Sequence, residues 1–416
     1  MLYDQALLVK CYLSVYQITK KDVYSEVARE VLYYVSRDML SREGGFYSAE
    51  DADSEGVEGK FYLWELKEVE QHLDNRKARV FADIFSMNPE GNFRDEGTGR
   101  RTGKNILHLS DIKHIDRLEE SRRQLLAVRE KRIHPHKDKK ILTDWNGLMI
   151  TALARSGNVL ANEEFIHLAE EAVNFISKNM FDDAHLLHRY MEGEAGIRAY
   201  LNDHAFLIQG LIELYQAVFN PDYLRLALEL QEQLFEYYWD DEQGGFYFTA
   251  VDGEELLTRD KPLYDGVLPS GNSVALWNLV RLFHITGKVK YRDKAEEMIT
   301  YFARLVEDAP TGYLQFLHSY RELLDSFYSI VIVGEEFSQK VEEIRSVLQE
   351  NYLPNKVVIF KPVKRKKEKQ GIEQISEYIG DFEMNNGETT IYVCDNLNCE
   401  LPTNDIEKMK ELLGID

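Results

Sequence analysis

The sequence predicts a mainly α fold: an (α/α)6-type helical barrel with a small α/β appendage at its C-terminal end. Long segments of helical periodicity alternate with short glycine- and aromatic-rich turns from the start to about residue 320. A two-helix unit recurs at roughly 144–160 with 163–180, 202–219 with 221–239, and 270–287 with 290–307, its starts about sixty to seventy residues apart. After about residue 327 the pattern changes to buried-strand runs, "YSIVIVG", "NKVVIF" and "TTIYVC". This places a barrel domain at 1–327 and an α/β subdomain at 328–416.

The first segment, "MLYDQALLVKCYLSVYQ", reads as a core helix with Leu7, Leu8, Cys11, Tyr12 and Val15 on one stripe, and Val27, Val31, Leu32 and Val35 mark the next. Asp4 and Lys10 inside it, and the lack of a cleavage pattern, argue against a signal peptide. The first helix of each unit opens on an apolar residue and a small polar cluster: "LYDQA", "LTDWN", "LNDHA" and "PSGNS". The second helix of three units ends in a short β-like return: "GGFYSA", "LLHRYM" and "GGFYFT". In a ring of such pairs the first helices line the interior, and their N-terminal turns form one mouth together with the returns. The interval 64–133 breaks the rhythm and reads as an irregular hairpin with an insertion, including a charged helix near 110–132. The tail adds helical patterns at 336–350 and 404–414 and a basic run, "KPVKRKKEKQ", expected to be an exposed loop.

Composition excludes several functions. A net charge of −22 argues against a general nucleic-acid binder, whose phosphate contacts need clustered Lys and Arg. No apolar run approaches the ~20 residues of a membrane span. With only Cys11, Cys394 and Cys399, no disulfide framework is expected, which suits a reducing, cytoplasmic compartment. Cys394 and Cys399 cannot complete a tetrahedral zinc site without nearby His; they read as structural thiols, with a regulatory disulfide as the alternative. No metal or cofactor is expected.

The motifs "GGFYSAEDADSEGVEGKFYLW", "DKKILTDWNGLMITALA", "AFLIQGLIELY", "LPSGNSVALWNLVRL" and "YVCDNLNCELP" follow in this order. Together they resemble the YyaL-type family of thioredoxin-domain-containing proteins, which includes the spermatogenesis-associated thioredoxin-like protein. The resemblance implies a six-hairpin barrel akin to N-acylglucosamine 2-epimerases and six-hairpin glycosidases, preceded in the family by a thioredoxin-like domain. Two departures stand out. The chain carries no thioredoxin segment, and it begins inside the motif the family writes as "HFEKMLYDQA", leaving about five of six hairpins. His204 stands where the family more often has Tyr. A missing hairpin would leave apolar faces to cover, so a thioredoxin-type partner or a homo-oligomer is expected.

Candidate site residues fall at the predicted mouth. In "EDADSEGVEGKFYLW", Asp51, Asp53, Glu55 and Gly56 mimic the start of a calcium loop, but Tyr62 stands where a bidentate Glu is required. Two readings stay open: solvated turn chemistry, or Asp51 and Asp53 as mouth carboxylates acting as acid or base. In "TDWNG", Asp144 can cap a helix, while Trp145 and Asn146 beside it suit stacking on and hydrogen bonding a sugar-like ring. Asp203 and His204 of "NDHA" occupy the matching turn. His188 of "LHRY" on the adjoining return makes a possible acid–base couple with His204, and Arg189 and Tyr190 beside it are candidate substrate contacts. "YDGVLPSGNS" adds Asp265, Ser270 and Asn272 around a helix start that could hold an anion or simply cap itself, and Trp277 follows on the same helix. Two hypotheses follow: a carbohydrate-active enzyme acting on a small sugar-like molecule, by proton transfer or hydrolysis, or a non-catalytic binding or scaffold module of a thioredoxin-linked family.

Overall fold

The computed structural model describes residues 1–95, 97–109, 118–254 and 256–415. The chain forms two compact units, one of Met1–Ser48 with Lys140–Asp416, the other of Ala49–Lys139. Helices α1 (Leu2–Thr19) and α2 (Asp22–Tyr34) open the first unit, and α3 (Leu66–His72), α4 (Asn75–Ile84) and α5 (Glu119–Arg129) belong to the second. The first unit resumes with α6 (Thr143–Val159) and α7 (Glu163–Asn179), then α8 (Leu201–Val218) and α9 (Pro221–Tyr237). It continues with α10 (Gly271–Thr286), α11 (Val289–Asp308) and α12 (Leu314–Leu324).

The burial pattern assigns each helix its layer. Every residue of α10 is buried, and α6 and α8 are buried over most of their circumference, as interior helices must be. Helix α7 instead buries Phe165, Leu168, Ala169, Ala172, Val173, Phe175 and Ile176, one stripe at helical spacing. Accordingly α1, α6, α8, α10 and α12 pack side by side as an inner row, while α2, α7, α9 and α11 each lie outside their own inner partner. This is the mainly α, (α/α)6-type barrel architecture, with five inner helices among the described residues. Helices α6 and α8 approach closely because both carry glycine at the crossing. A Cβ on Gly147 would lie 2.6 Å from the Leu207 nitrogen, and one on Gly210 would lie 2.9 Å from the Gly147 oxygen. In α1 the buried face is Leu2, Tyr3, Ala6, Val9 and Leu13, whereas Leu8 and Cys11 of the expected stripe are exposed. Apolar residues encircle this helix, so their periodicity does not select the face.

The repeated "GGFY" returns have one structural explanation. Gly44 and Gly244 both adopt positive φ, 102° and 81°, each against a carbonyl of an outer helix, Glu171 and Glu297. Phe46 and Phe246 are then fully buried, and an asparagine of the next inner helix clamps each one. Asn146 Oδ1 accepts from Phe46 N at 2.8 Å while its Nδ2 donates to Phe46 O and Leu142 O. Asn272 does the same for Phe246 N, Phe246 O and Pro262 O. The other end of each return holds its own inner helix: Leu2 N donates to Ser48 O and Leu201 N to Phe248 O, both at 2.9 Å.

The intervening return is a hairpin, β1 (His185–Met191) and β2 (Glu194–Arg198), with Ile141–Leu142 pairing on the other side of β1 opposite Tyr190 and Arg189. The α/β segment packs in the same unit as the hairpins. Its central strand β3 (Tyr328–Gly334) runs parallel to β4 (Lys356–Pro362) and antiparallel to β5 (Thr390–Asp395). Helices α13 (Gln339–Glu350), α14 (Lys366–Ile375) and α15 (Ile406–Leu413) complete it. Helix α14 corrects the expectation that the basic run is a loop. Gly371, Ile372 and Ile375 bury one face of it. Cys394 and Cys399 are joined in a disulfide between β5 and the short Asn398–Cys399 strand, in place of the expected thiols.

The second unit has its own core of Trp64, Val69, Phe81, Leu118 and Leu125. Of the charged helix expected near 110–132, residues 119–129 form α5, and 110–117 lie outside the described residues.

Candidate acid–base site

Three residues anticipated from two successive repeats meet at the N-terminal ends of α6 and α8. Asp144, His188 and Asp203 bring their potential ligand atoms within 4.8 Å of one another. The local folding explains the meeting. Asp203, in the first turn of α8, accepts from Tyr200 N at 2.7 Å through Oδ2, the carboxylate half of a capping arrangement. Its Oδ1 accepts from Asp144 N at 2.9 Å, which ties the start of α6 to the start of α8. Strand β1 runs alongside, held to α6 by Thr143 Oγ1 donating to Leu187 O at 2.6 Å. The next residue of that strand, His188, points Nδ1 at Asp203, 2.9 Å from Oδ1 and 3.0 Å from Oδ2.

The electrostatics follow from burial. Asp203 is fully buried, Asp144 nearly so, and the His188 side chain is 20% exposed. Burial and the adjacent Asp203 charge push the Asp144 carboxyl up to about 7, against the opposing pull of His188 and of the Trp145 N–H that it accepts at 2.8 Å. For His188, burial disfavours the charged ring, but the hydrogen bond and charge of Asp203, with Asp144, outweigh it and raise the pKa. With Nδ1 held by Asp203, Nε2 is the nitrogen left to meet a substrate. The His188 ring packs edge-on against Tyr200, centroids 5.1 Å apart, and Tyr200 stacks on Phe248. The same three side chains form a one-histidine, two-carboxylate donor set of a kind that divalent metals accept.

The other predicted residues occupy varied settings. His204 is fully buried, its Nδ1 at 3.2 Å from Tyr200 O and its Nε2 at 3.4 Å from Gln233 Oε1, and burial lowers its pKa. The partner of His188 is therefore Asp203. Trp145 sits part-buried, edge-on to Tyr3, and Tyr190 donates to Glu43 Oε1 at 3.0 Å. Arg189 lies beside His188 and opposes its protonation. Asn146 and Asn272 are the clamps described above. Asp265 accepts from Ser270 N, Gln315 N and Phe316 N and so caps α12, while Ser270 Oγ caps α10 by accepting from Ser273 N. Trp277 is buried deeper in the barrel under the Arg281 guanidinium, 3.7 Å from its ring centroid.

In the second unit, Asp51 and Asp53 are exposed. Their loop is a tight hairpin in which Asp53–Ser54 pairs with Val57–Glu58. Glu55 and Gly56 at its tip both have positive φ, as a two-residue turn of this type requires. Asp51 Oδ1 accepts from Asp53 N at 3.1 Å, and Glu55 pairs with Lys60 at 2.7 Å. Turn formation accounts for this acidic stretch. Charged side chains lining the barrel interior, among them Lys10, Arg155, Glu213 and Arg281, were not anticipated as site residues. Their signal is a single charge inside an otherwise apolar helix, as in "LIELY" and "LVRLF".

No protein-family model matches the chain. It is similar to spermatogenesis-associated protein 20 of Homo sapiens, 30% identical over 454 residues that cover 99% of this chain and 57% of that protein. The chain thus spans little more than half the length of that relative. Among solved structures, a D-mannose isomerase matches 99% of this chain and 85% of its own at 10% identity, with a TM-score of 0.43. A GH76 α-mannanase from Bacteroides thetaiotaomicron matches 73% and 61% at 11% identity, with a TM-score of 0.42. Among the described residues no helix is long and apolar enough to cross a membrane.

Proposed function

We propose that the barrel catalyses proton transfer on a small sugar-like substrate, with His188 and Asp144 as the acid–base groups and Asp203 as the residue that orients His188. One observation carries this reading: a histidine fixed through Nδ1 by a buried carboxylate stands beside a second carboxyl whose titration is shifted to near neutrality. In an aldose–ketose isomerase reaction, neutral His188 would take the C2 proton through Nε2 while protonated Asp144 donates its proton to the C1 carbonyl oxygen, giving the enediol. His188 would then return its proton to C1 as the C2 hydroxyl gives its proton to Asp144, which leaves the ketose and restores both groups. Glycoside hydrolysis fits less well, because it needs two carboxylates flanking the scissile bond. Asp203 is fully buried and already accepts from Tyr200 N, Asp144 N and His188. The donor set would suit a divalent ion, which could polarise the same carbonyl.

The test is solvent deuterium incorporation into a panel of aldoses and ketoses, followed by proton NMR. His188→Gln and Asp144→Asn should abolish incorporation while the circular dichroism spectrum is retained. Incorporation that persists in both variants would overturn the site assignment. The second reading, a scaffold module of the YyaL-type thioredoxin-linked family, draws on the commitment of Asn146, Asn272 and Asp265 to backbone groups. It predicts no exchange with any sugar, together with capture of a thioredoxin-type partner.

A further inference from the structure

The inner helices enclose a second polar region, remote from the acid–base cluster. Asp144 and Arg155 stand eleven residues apart on α6, about 16 Å along the helix at 1.5 Å per residue. Around Arg155 a cavity of about 270 Å³ opens, lined by residues of all five inner helices and closed by the α13–β4 connection. Its lip carries the exposed Cys11, His318 and Tyr352.

The charges in its wall do not balance. Lys10, Arg155, Arg281 and Lys356 face only two carboxylates, Glu213 and Glu322. Glu322 is taken: Arg281 grips it with both terminal nitrogens, donates to Pro354 O at 2.8 Å, and lies over Trp277. That leaves Lys10, Arg155 and Lys356 with Glu213 alone, and among the described residues none of the four has an ion-pair partner within 4 Å. Lys10 Nζ reaches only Gln209 Oε1 at 3.4 Å, and Arg155 only Ser14 Oγ at 3.5 Å. Lys10, Arg155 and Lys356 are each part-buried, and cations gathered there without ion-pair partners are costly. Burial, with the repulsion of Arg155, holds the Lys10 amine down to about 8, and burial holds Lys356 there too, with Glu213 opposing. In a chain of net charge −22, such an interior cluster is not a by-product of composition.

We infer that this cavity is an anion-binding site for a monosaccharide-sized polyol bearing a phosphate or carboxylate group. Lys10, Arg155 and Lys356 would meet the anionic group through charge-assisted hydrogen bonds, and the Gln209 amide is placed for a hydroxyl. The volume lies just below the range of drug-sized ligands, about 300–1,000 Å³, and so suits a small metabolite. The site is independent of the acid–base reading and stands or falls separately from it.

The experiment is isothermal titration calorimetry of the whole chain with glucose 6-phosphate, glucuronate, glucose and inorganic phosphate. At least one anionic sugar should bind, glucose should not at the same concentration, and affinity should fall steeply as potassium chloride is raised. The stronger of the two anionic sugars identifies the charged group. Lys10→Met and Lys356→Met should each weaken binding by about tenfold or more, a loss of about 1.4 kcal/mol, whereas Lys408→Met on the exposed face of α15 should not. The same two substitutions should raise the thermal midpoint of the ligand-free protein, because each removes an unpaired cation. Failure of both anionic sugars to bind at millimolar concentration, or binding that Lys10→Met and Lys356→Met leave intact, would overturn the assignment. Inorganic phosphate binding as tightly as the sugars would refute the polyol part of it.

Discussion

Replacing Asn146 with alanine tests the reading of the repeats, because this one amide stitches two hairpins together. Its side chain is fully buried and makes three hydrogen bonds: it accepts from Phe46 N and donates to Phe46 O and Leu142 O. Truncation strands a buried backbone N–H, at about 1–3 kcal/mol, and removes two donors to carbonyls at about 1 kcal/mol each. The expected loss is therefore about 3–5 kcal/mol, a large part of the ~5–15 kcal/mol that holds a domain together. The global reading is the urea midpoint by fluorescence, with the m-value checked for constancy. The local one is hydrogen exchange at the Phe46 amide, whose protection should fall about a hundredfold or more, since each 1.4 kcal/mol is a factor of ten. Asn272→Ala should reproduce both effects at Phe246, because the clamp there has the same geometry. A loss below about 1 kcal/mol, or an unchanged exchange rate at Phe46, would show that the returns are held by the packing of their phenylalanines and not by the amides.

Two further outcomes are expected. The Asp144 carboxyl titrates at about 7 when folded, above its ordinary 3.8, so the folded state holds a proton there that the unfolded state has lost. Stability from this group should fall as pH rises between about 4 and 7; in urea titrations Asp144→Asn should gain on the parent across that window and run parallel above it, and a constant difference at all pH values would contradict the buried-carboxyl reading. The raised pKa of His188 acts in the same direction, its contribution present at low pH and lost as pH rises through the folded value. Separately, alkylation of the denatured, unreduced chain should label Cys11 alone, and reduction should add Cys394 and Cys399; three labelled thiols before reduction would refute the bridge.

The helical layers were legible in the sequence because each inner helix is bracketed by residues with one local job. The starts of α6, α8 and α10 fall within one residue of expectation, since Asp144, Asp203 and Ser270 sit in first turns where polar side chains satisfy free N–H groups. That same chemistry limits what a motif can reveal about a site. An amide beside an aromatic residue reads identically whether it will bind a ligand ring or a neighbouring loop, and Asn146 and Asn272 bind loops. Helix α14 stayed hidden because seven charges of its run outweigh three small or apolar residues on its buried face. The cluster of Asp144, His188 and Asp203 was legible only in part: repeat alignment sets Asp144 and Asp203 at the starts of neighbouring inner helices with β1 between them, whereas the motifs paired His188 with His204 and not with Asp203. The interior cavity was not singled out, because its charges come singly on elements that read as core, although Arg155 and Arg281 each stand nine residues after a clamp asparagine, Asn146 and Asn272. What marks them is position: Glu213 and Arg281 interrupt runs that are otherwise apolar all round. On a helix with apolar neighbours on every side, a charge must find either a partner, as Arg281 finds Glu322, or a cavity, as Glu213 does. Sorting the single charges of inner helices by that criterion separates structural pairs from ligand-facing groups before any ligand is known.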